Sequence, residues 1–309
     1  DRWRFYYDGW QSLTSEPSTD VPTGEGFGNS LLITTTSTGQ ENLTVGFISQ
    51  KIEGLNSAAL AWGTSGAKTV TLSFWVKSSI TGQWGVTLMN SAQNRIYTTT
   101  YTINAASTWE KKIITVPGCT SGTWLTNTST GVEIRFWVDS TPGGDGTNGS
   151  WRSTGSLDPA GQSSIGSANG ATFFLTGVQL EANQQATPFE FLPYGVQMEL
   201  CQRYYYLHVS GASKNICHGH YYSAGGFEGF LSLPTRMRTT PTLDYVQGTN
   251  YYNIYSTGND LSNYVFLDSY STDTMVALYD NASATGTAGY GAMFLTYNAA
   301  SYVAFKAEL

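Results

Sequence analysis

The sequence predicts an all-β protein, on three observations. Short runs rich in Val, Ile, Phe, Trp and Thr recur along the whole chain. Clusters of Gly, Ser, Asn and Pro separate these runs, and the chain contains 34 glycines. One short stretch, residues 198–207, favours a helix because it holds good helix formers without Gly or Pro. Short strands separated by turns indicate a β-sandwich or a barrel.

The first half of the chain contains the clearest strand patterns. The run at residues 132–138 alternates, with Val132, Ile134, Phe136 and Val138 on one face, as expected of a strand with one buried side. Residues 139–170 are rich in Gly, Ser and Thr and predict a long surface loop. The predicted strands cover residues 72–78, 84–89, 111–116, 132–138 and 172–180.

The aromatic residues divide the chain into two parts. All nine tryptophans precede residue 152, whereas fifteen of the twenty tyrosines follow residue 203. We therefore predict a first domain at residues 1–192, a connector with the short helix at 193–208, and a smaller β-domain at 209–309. Strand runs in the second part cover residues 229–234, 236–243, 264–267, 275–279, 292–297 and 302–307.

The composition excludes several classes of partner. Charged residues make up 12% of the chain and the net charge is −7, so a nucleic-acid partner, which needs a basic surface, is not expected. No apolar run approaches the roughly 18 residues that a membrane span requires. Three scattered cysteines do not make a disulfide framework. An uncharged polar surface suits contact with neutral sugars and close packing between identical subunits.

No catalytic motif is apparent, and we predict that the chain is not an enzyme. The chain has three histidines and lacks the G-x-S-x-G motif of a nucleophilic serine. No local pattern marks the pair of carboxylates that glycoside hydrolysis requires. A polysaccharide depolymerase stays open as an alternative, since the 22 acidic residues could form such a pair in space.

Sugar binding depends on exposed aromatic rings, and two groups of residues are candidates. Trp75, Trp109 and Trp137 lie in or beside strand runs, and we expect them to pack in the core or against a sheet. The tryptophan candidates are Trp84, Trp124 and Trp151, which lie beside small residues in predicted loops. The tyrosine candidates are Tyr251, Tyr252 and Tyr255, which surround Asn250 and Asn253. This mixture of rigid aromatics and adaptable amides is typical of binding surfaces.

The sequence Cys217-His218-Gly219-His220 is the one pattern that specifically suggests a metal site. In a strand, His218 and His220 face the same side. Imidazole ligands favour Fe, Ni, Zn or Cu, so copies of the chain meeting on an axis could share a transition metal there. An exposed or stacked histidine pair beside Tyr221 is the alternative.

Three stretches carry a resemblance to a known family. Asp1-Arg2-Trp3 is similar to a motif found in phage tail proteins. Residues 72–78 and 108–111 look like a pattern of jelly-roll carbohydrate-binding modules. The stretches TGVQLE at 176–181, ATPFE at 186–190 and LCQRYY at 200–205 resemble a series in phage tail-fibre and receptor-binding proteins. The resemblance covers residues 1–206.

The resemblance implies a jelly-roll first domain and a small β-head at residues 209–309 that trimerises and carries the receptor tip. It implies a homotrimer on the virion that attaches to a bacterial surface receptor, expected to be a glycan, without catalysis. Other virion proteins are implied partners, and the expected location is the extracellular virion. Glu181 becomes a candidate Ca²⁺ ligand. The family's opening strand before Asp1 is absent, so we expect a processed chain or another segment that completes the sheet. A capsid decoration or structural appendage without a ligand is the alternative.

Overall fold

A computed structural model of the protein describes residues 3–8, 12–37, 45–140 and 146–309. These residues form two compact units, Trp3–Phe191 and Leu192–Leu309. Both units are built almost entirely from antiparallel strands, which confirms the predicted all-β fold class with its jelly-roll sandwich. Asp1 and Arg2 of the opening motif lie outside the described residues. Within the described ranges, no helix is long and apolar enough to cross a membrane.

The first unit is a sandwich whose described strands form two sheets. The strand order is β1-β4-β9-β6-β7-β10 in one sheet and β2-β3-β11-β5-β8 in the other. A four-residue helix, α1 (Gly54–Ser57), follows β4. The strands are β1 (Trp3–Asp8), β2 (Ser12–Ser18), β3 (Ser30–Ser37), β4 (Val45–Glu53), β5 (Val70–Ser78), β6 (Gly82–Met89), β7 (Ile96–Ile103), β8 (Glu110–Val116), β9 (Thr130–Ser140), β10 (Trp151–Arg152) and β11 (Thr172–Glu181).

The core of the sandwich follows from the two-residue period of its strands. In β9, the predicted face of Val132, Ile134, Phe136 and Val138 is buried. In β5, Val70, Leu72, Phe74 and Val76 face the same core. The rings of Phe74 and Phe136 meet edge to face, with centroids 4.9 Å apart. The residues between these positions therefore point away from the core on both sheets.

The predicted loop at residues 139–170 differs from expectation. β9 continues to Ser140, and Ile165, in a short 3₁₀ turn, is fully buried in the core. The hydroxyl of Thr87 donates a hydrogen bond to the carbonyl of Leu157, at 2.5 Å. The described part of this segment thus packs on the sandwich instead of forming a free surface loop; residues 141–145 lie outside the description.

The second unit begins with a helix, α2 (Tyr194–Gln202), which lies earlier in the chain than the predicted residues 198–207. The last residues of the predicted helix instead belong to a strand, in which Tyr205 and Tyr206 pair with Lys306 and Phe305. The described strands form sheets in the orders β12-β21-β15 and β17-β16-β20-β13-β14-β19-β18. The strands are β12 (Tyr205–Ser210), β13 (Asn215–Ser223), β14 (Gly226–Ser232), β15 (Thr242–Tyr245), β16 (Tyr252–Tyr255), β17 (Asn259–Ser262), β18 (Phe266–Leu267), β19 (Met275–Asp280), β20 (Gly291–Thr296) and β21 (Tyr302–Lys306).

Candidate functional site

The five-stranded sheet of the sandwich presents a partly exposed tryptophan on its outer face. Since Phe74 and Val76 of β5 face the core, Trp75 between them faces outward. Its neighbours across the sheet are Lys111 of β8 and Thr176 of β11. The sequence placed Trp75 in the core or against a sheet, so this position was missed as a candidate. The alternation of β5 is the signal that could have identified it.

Two segments from distant parts of the chain border Trp75. Phe27 precedes β3, whereas Phe189 and Phe191 follow β11, and the three rings pack together with centroids 4.9–5.3 Å apart. Gly177 interrupts β11 with φ of +59°, and a Cβ there would lie 2.5 Å from the Phe27 ring. The glycine therefore provides both the strand bulge and the space for Phe27.

The segment after β11 is held in place by two residues of the TGVQLE stretch. The Glu181 carboxylate accepts hydrogen bonds from the backbone N–H and the hydroxyl of Thr187, the former at 3.0 Å. The Gln179 amide oxygen accepts a hydrogen bond from the Glu190 N–H, at 2.8 Å. Burial raises the pKa of Glu181, but the hydrogen bonds from Thr187 and Gln179 outweigh burial and lower it. These residues fix one wall of the site.

The segment before β3 is held by an ion pair on the same face. Lys77 of β5 donates to the carboxylate of Asp20, and the Trp109 indole N–H donates to the same carboxylate, at 2.9 Å. The hydrogen bonds from Lys77 and Trp109 hold the pKa of Asp20 below its usual value. The Lys77 ammonium also lies 4.2 Å from the centroid of the Phe174 ring. This cluster anchors the segment that carries Phe27.

Together these elements enclose a groove of about 380 Å³. Binding sites for small ligands have volumes of roughly 300–1,000 Å³ and combine apolar walls with a few polar groups. The groove meets both conditions, since aromatic rings line it together with hydroxyl, ammonium and carboxylate groups. The polar lining residues are Glu25, Ser73, Lys111 and Thr187, and the aromatic ones are Phe27, Trp75, Phe189 and Phe191.

Glu110, which precedes Lys111 in the chain, closes the turn between β7 and β8. The Glu110 carboxylate accepts hydrogen bonds from the backbone N–H groups of Asn104 and Ala105, at 2.7 and 3.0 Å, and from Lys112. Burial raises the pKa of Glu110, but the hydrogen bonds from Lys112, Ala105 and Asn104 outweigh it and hold the pKa at about 2.

Replacing Glu110 with Gln is expected to lower the free energy of unfolding by about 1 kcal/mol at pH 7. The folded-state pKa lies below the ordinary value of 4.5, so the stabilisation is present above pH 4.5 and is lost as the pH falls towards about 2. Urea unfolding of both proteins between pH 2 and 7, followed by tryptophan fluorescence, measures the difference. A difference that stays constant over this range would contradict the assignment.

The three predicted tryptophan platforms lie elsewhere. Trp84 is fully buried beside Phe173 in the core, so the prediction of an exposed ring is wrong, because β6 turns Trp84 inward with Val86 and Leu88. Trp124 and Trp151 are partly buried and pack edge to face, with centroids 5.5 Å apart. Their indole N–H groups donate to the carbonyls of Ser121 and Pro117. They close one end of the core; a ligand role for them stays a prediction.

The three tyrosine candidates of the second unit also differ in how exposed they are. Tyr252 is fully buried, and its hydroxyl donates to the carbonyls of Val246 and Tyr302, so its predicted place on a receptor surface is wrong. Tyr251 is partly buried against the same core. Tyr255 is 42% exposed at the end of β16 and remains available to a ligand.

The histidine pair lies on a strand, as its spacing anticipated. His218 and His220 are both exposed on one face of β13, and the amide nitrogen of Asn215 lies 3.3 Å from Nε2 of His218. Cys217 faces the core, and burial raises the pKa of its thiol to about 12. Among the described residues of one chain, no three His, Cys, Asp or Glu side chains form a metal-binding group. A metal shared between copies stays a prediction.

Glu181, the candidate Ca²⁺ ligand, holds the segment after β11 in place. Its carboxylate binds the N–H and hydroxyl of Thr187, and no group of three acidic, histidine or cysteine side chains forms around it in the part of the chain that is described. A Ca²⁺ ion requires six or more oxygen ligands. Backbone and amide carbonyls can also supply such oxygens, so a role for Glu181 in binding Ca²⁺ stays a prediction beside its structural one.

No model of a known protein family and no curated protein matches the chain. Among solved structures, it is similar to the enzymatically active domain of tailspike protein 4 of bacteriophage CBA120, with 14% identity and a TM-score of 0.35. That match covers 58% of this chain and 19% of the tailspike chain, so this chain corresponds to less than a fifth of it.

Two further similar structures are carbohydrate-binding domains. One is the family 11 carbohydrate-binding module of Clostridium thermocellum in complex with a β-1,3-1,4-mixed-linked tetrasaccharide, with 12% identity, a TM-score of 0.32, and coverage of 58% of this chain and 88% of that one. The other is a xylan-binding domain from Paenibacillus barcinonensis, with 12% identity, a TM-score of 0.28, and coverage of 59% and 87%.

Proposed function

We propose that the chain attaches a virion to a bacterial surface by binding a neutral glycan, without catalysis, in the groove at Trp75. The observation that carries this proposal is a partly exposed indole in the wall of a groove whose other lining groups are phenyl rings and hydrogen-bonding side chains. A pyranose ring has an apolar face that stacks on an indole and hydroxyl groups that need hydrogen-bond partners. Among the lining residues, the Lys111 ammonium offers donors and the Glu25 carboxylate offers acceptors.

The lining of the groove supports binding without hydrolysis. Glu25 is the one carboxylate among the described residues that line it. Both classes of glycosidase mechanism require a second carboxyl group, at about 5–9.5 Å from the first. A low overall charge, with charged residues at 12% of the chain, also favours a neutral sugar over a polyanionic one.

The virion context of the proposal rests on the sequence motifs. The TGVQLE and ATPFE stretches, which resemble those of phage tail-fibre proteins, are the stretches that build one wall of the groove. We take the chain to be a fibre or spike component that acts as a homotrimer alongside other virion proteins. Three copies per fibre would raise apparent affinity by ~10²–10⁴ without a new contact. A virion decoration that binds no glycan is the alternative.

Replacing Trp75 with Ala is expected to lower glycan affinity about 30-fold, because a central aromatic contact typically contributes about 2 kcal/mol. An array of neutral and acidic bacterial surface oligosaccharides identifies the tightest ligand of the wild-type chain, and calorimetry then compares the variants. Trp124→Phe, which alters another partly buried tryptophan, is the matched control and should bind as the wild type does.

Three outcomes would contradict parts of the proposal. If Trp75→Ala binds as tightly as the wild type, the groove is not the binding site. If the wild type binds no oligosaccharide on the array, the decoration alternative is favoured. If incubation with the bound polysaccharide releases reducing ends, the chain is a depolymerase, and loss of that activity in Glu25→Gln would identify the acid.

A further inference from the structure

The outer face of the six-stranded sheet concentrates cationic side chains. Arg4 of β1 pairs with Ser49 of β4, and Ser49 pairs with Arg135 of β9, so these residues form one row across adjacent strands. Two residues further along β4, Lys51 pairs with Glu133. Side chains two residues apart share a face of a strand, so all five lie on the same face. This sheet is not the one that carries the groove.

The cations surround a small polar pocket of about 160 Å³. Ser49, between the two arginines of the row, has a short, buried side chain, and strands two apart in a sheet are separated by roughly 10 Å. Ser91 and Gln93, from the turn between β6 and β7, add hydroxyl and amide groups to the lining. The pocket is smaller than the roughly 300 Å³ of sites that enclose a whole ligand, so it suits one chemical group of a larger molecule.

Arg135 is the most informative residue of the pocket, because it is only 9% exposed. Its Nε donates to the Glu133 carboxylate at 2.7 Å, and its guanidinium lies 4.2 Å from the centroid of the Phe47 ring. That hydrogen bond is the one Arg135 makes within the described part of the chain, so the terminal nitrogens keep their N–H donors for another acceptor. A planar guanidinium matches a carboxylate or a phosphate with two parallel hydrogen bonds.

The charge of the pocket is opposite in sign to that of the chain. Three cations and one carboxylate line it, which leaves a net charge of +2, whereas the chain carries −7 and has 15 Lys and Arg residues in all. Like charges at neighbouring positions of a sheet repel each other and lower stability. A bound anion would relieve this repulsion, so the pocket favours a negatively charged group over a neutral one.

We infer that this pocket binds an anionic sugar through one carboxylate or phosphate group. The guanidinium of Arg135 receives the anionic group, and Arg4 and Lys51 neutralise its charge. Ser91 and Gln93 are available to the neighbouring hydroxyl groups of the sugar. Because the pocket and the groove lie on different sheets, the inference does not rest on glycan binding in the groove.

Calorimetry with glucuronate, glucose-6-phosphate, inorganic phosphate and glucose tests the inference. The two anionic sugars should bind, and glucose should not. Arg4→Gln and Lys51→Gln should each weaken binding about tenfold, since each removes a charge-assisted contact. Arg135→Lys keeps the charge but loses the planar pair of donors, and it should weaken binding by a similar factor. Lys68→Gln, at an exposed lysine of the same unit outside the pocket lining, is the matched control and should bind as the wild type does.

Four outcomes would overturn the inference. They are no binding of either anionic sugar, equal binding of glucose and glucuronate, wild-type affinity in both Arg4→Gln and Lys51→Gln, and inorganic phosphate binding as tightly as glucose-6-phosphate, which would leave a site for a free anion only. The Trp75→Ala variant should bind glucuronate with the wild-type affinity. That result separates the pocket from the groove, so either site can fail its test without the other.

Discussion

Replacing Gly219 with alanine is expected to destabilise the second unit strongly and to leave the stability of the first unit unchanged. Gly219 of β13 lies opposite Gly229 of β14, and a Cβ at Gly219 would lie 2.0 Å from the carbonyl oxygen of Glu228 and 2.6 Å from the Cα of Gly229. These are backbone atoms in the middle of a seven-stranded sheet, so no side-chain rotation relieves the clash. We expect a loss of about 4 kcal/mol, at the upper end for single substitutions.

The uneven distribution of aromatics makes this prediction measurable. All nine tryptophans lie in the first unit, so tryptophan fluorescence reports on that unit, whereas far-ultraviolet circular dichroism reports on both. Gly219→Ala should move part of the circular dichroism transition and leave the fluorescence midpoint unchanged. Gly291→Ala is the matched control in the adjacent strand, since its nearest contact would be 3.9 Å away. Equal stability of the two variants would refute the assignment.

Replacing Arg135 with alanine is expected to destabilise the first unit by about 3 kcal/mol. The Arg135 guanidinium lies 2.7 Å from the Glu133 carboxylate, and the two side chains are only 11% and 7% exposed. The guanidinium also lies 4.2 Å from the centroid of the Phe47 ring. Removing one partner of a buried ion pair leaves the other charge uncompensated, which is the main cost.

The double variant separates the cost of the unpaired charge from the value of the pair. Arg135→Met combined with Glu133→Leu removes both charges, and it should recover most of the stability lost in Arg135→Ala. Urea unfolding followed by tryptophan fluorescence gives all three values. A double variant no more stable than Arg135→Ala would show that the loss comes from packing on Phe47 instead.

The sequence predicts the strands well where one face is buried. The alternation at residues 132–138 corresponds to β9 (Thr130–Ser140), and its four apolar residues all lie in the core. The same rule would have assigned Trp84, since Val86 and Leu88 share its face in β6. Gly85, next to Trp84, is typical of a loop in the sequence. In the structure it is a strand residue, and glycine is needed there because a Cβ would meet Gln162 and Pro159 from the segment that covers the sheet.

The groove could not be predicted, because its walls come from segments far apart in the chain. The alternation of residues in β5 places Trp75 on the opposite face of the sheet from Phe74. It does not show which segment covers that outer face. Phe27 and Phe189 meet there because β3 pairs with β11, a pairing of distant segments. The close approach of the two strands at Gly219 could not be predicted either, because it depends on Gly229 in the neighbouring strand. In the sequence, Gly219 is seen only as the residue between two histidines that suggest metal binding.

Glycan binding in the groove requires that a bound sugar touches Trp75. Fluorine NMR of the chain labelled with 5-fluorotryptophan gives a resonance for each of the nine tryptophans, and Trp75→Phe identifies the relevant one. On titration with the tightest oligosaccharide of the array, we predict that the Trp75 resonance shifts to saturation while those of Trp124 and Trp151 stay in place. A shift confined to Trp124 or Trp151, with Trp75 unchanged, would contradict the account.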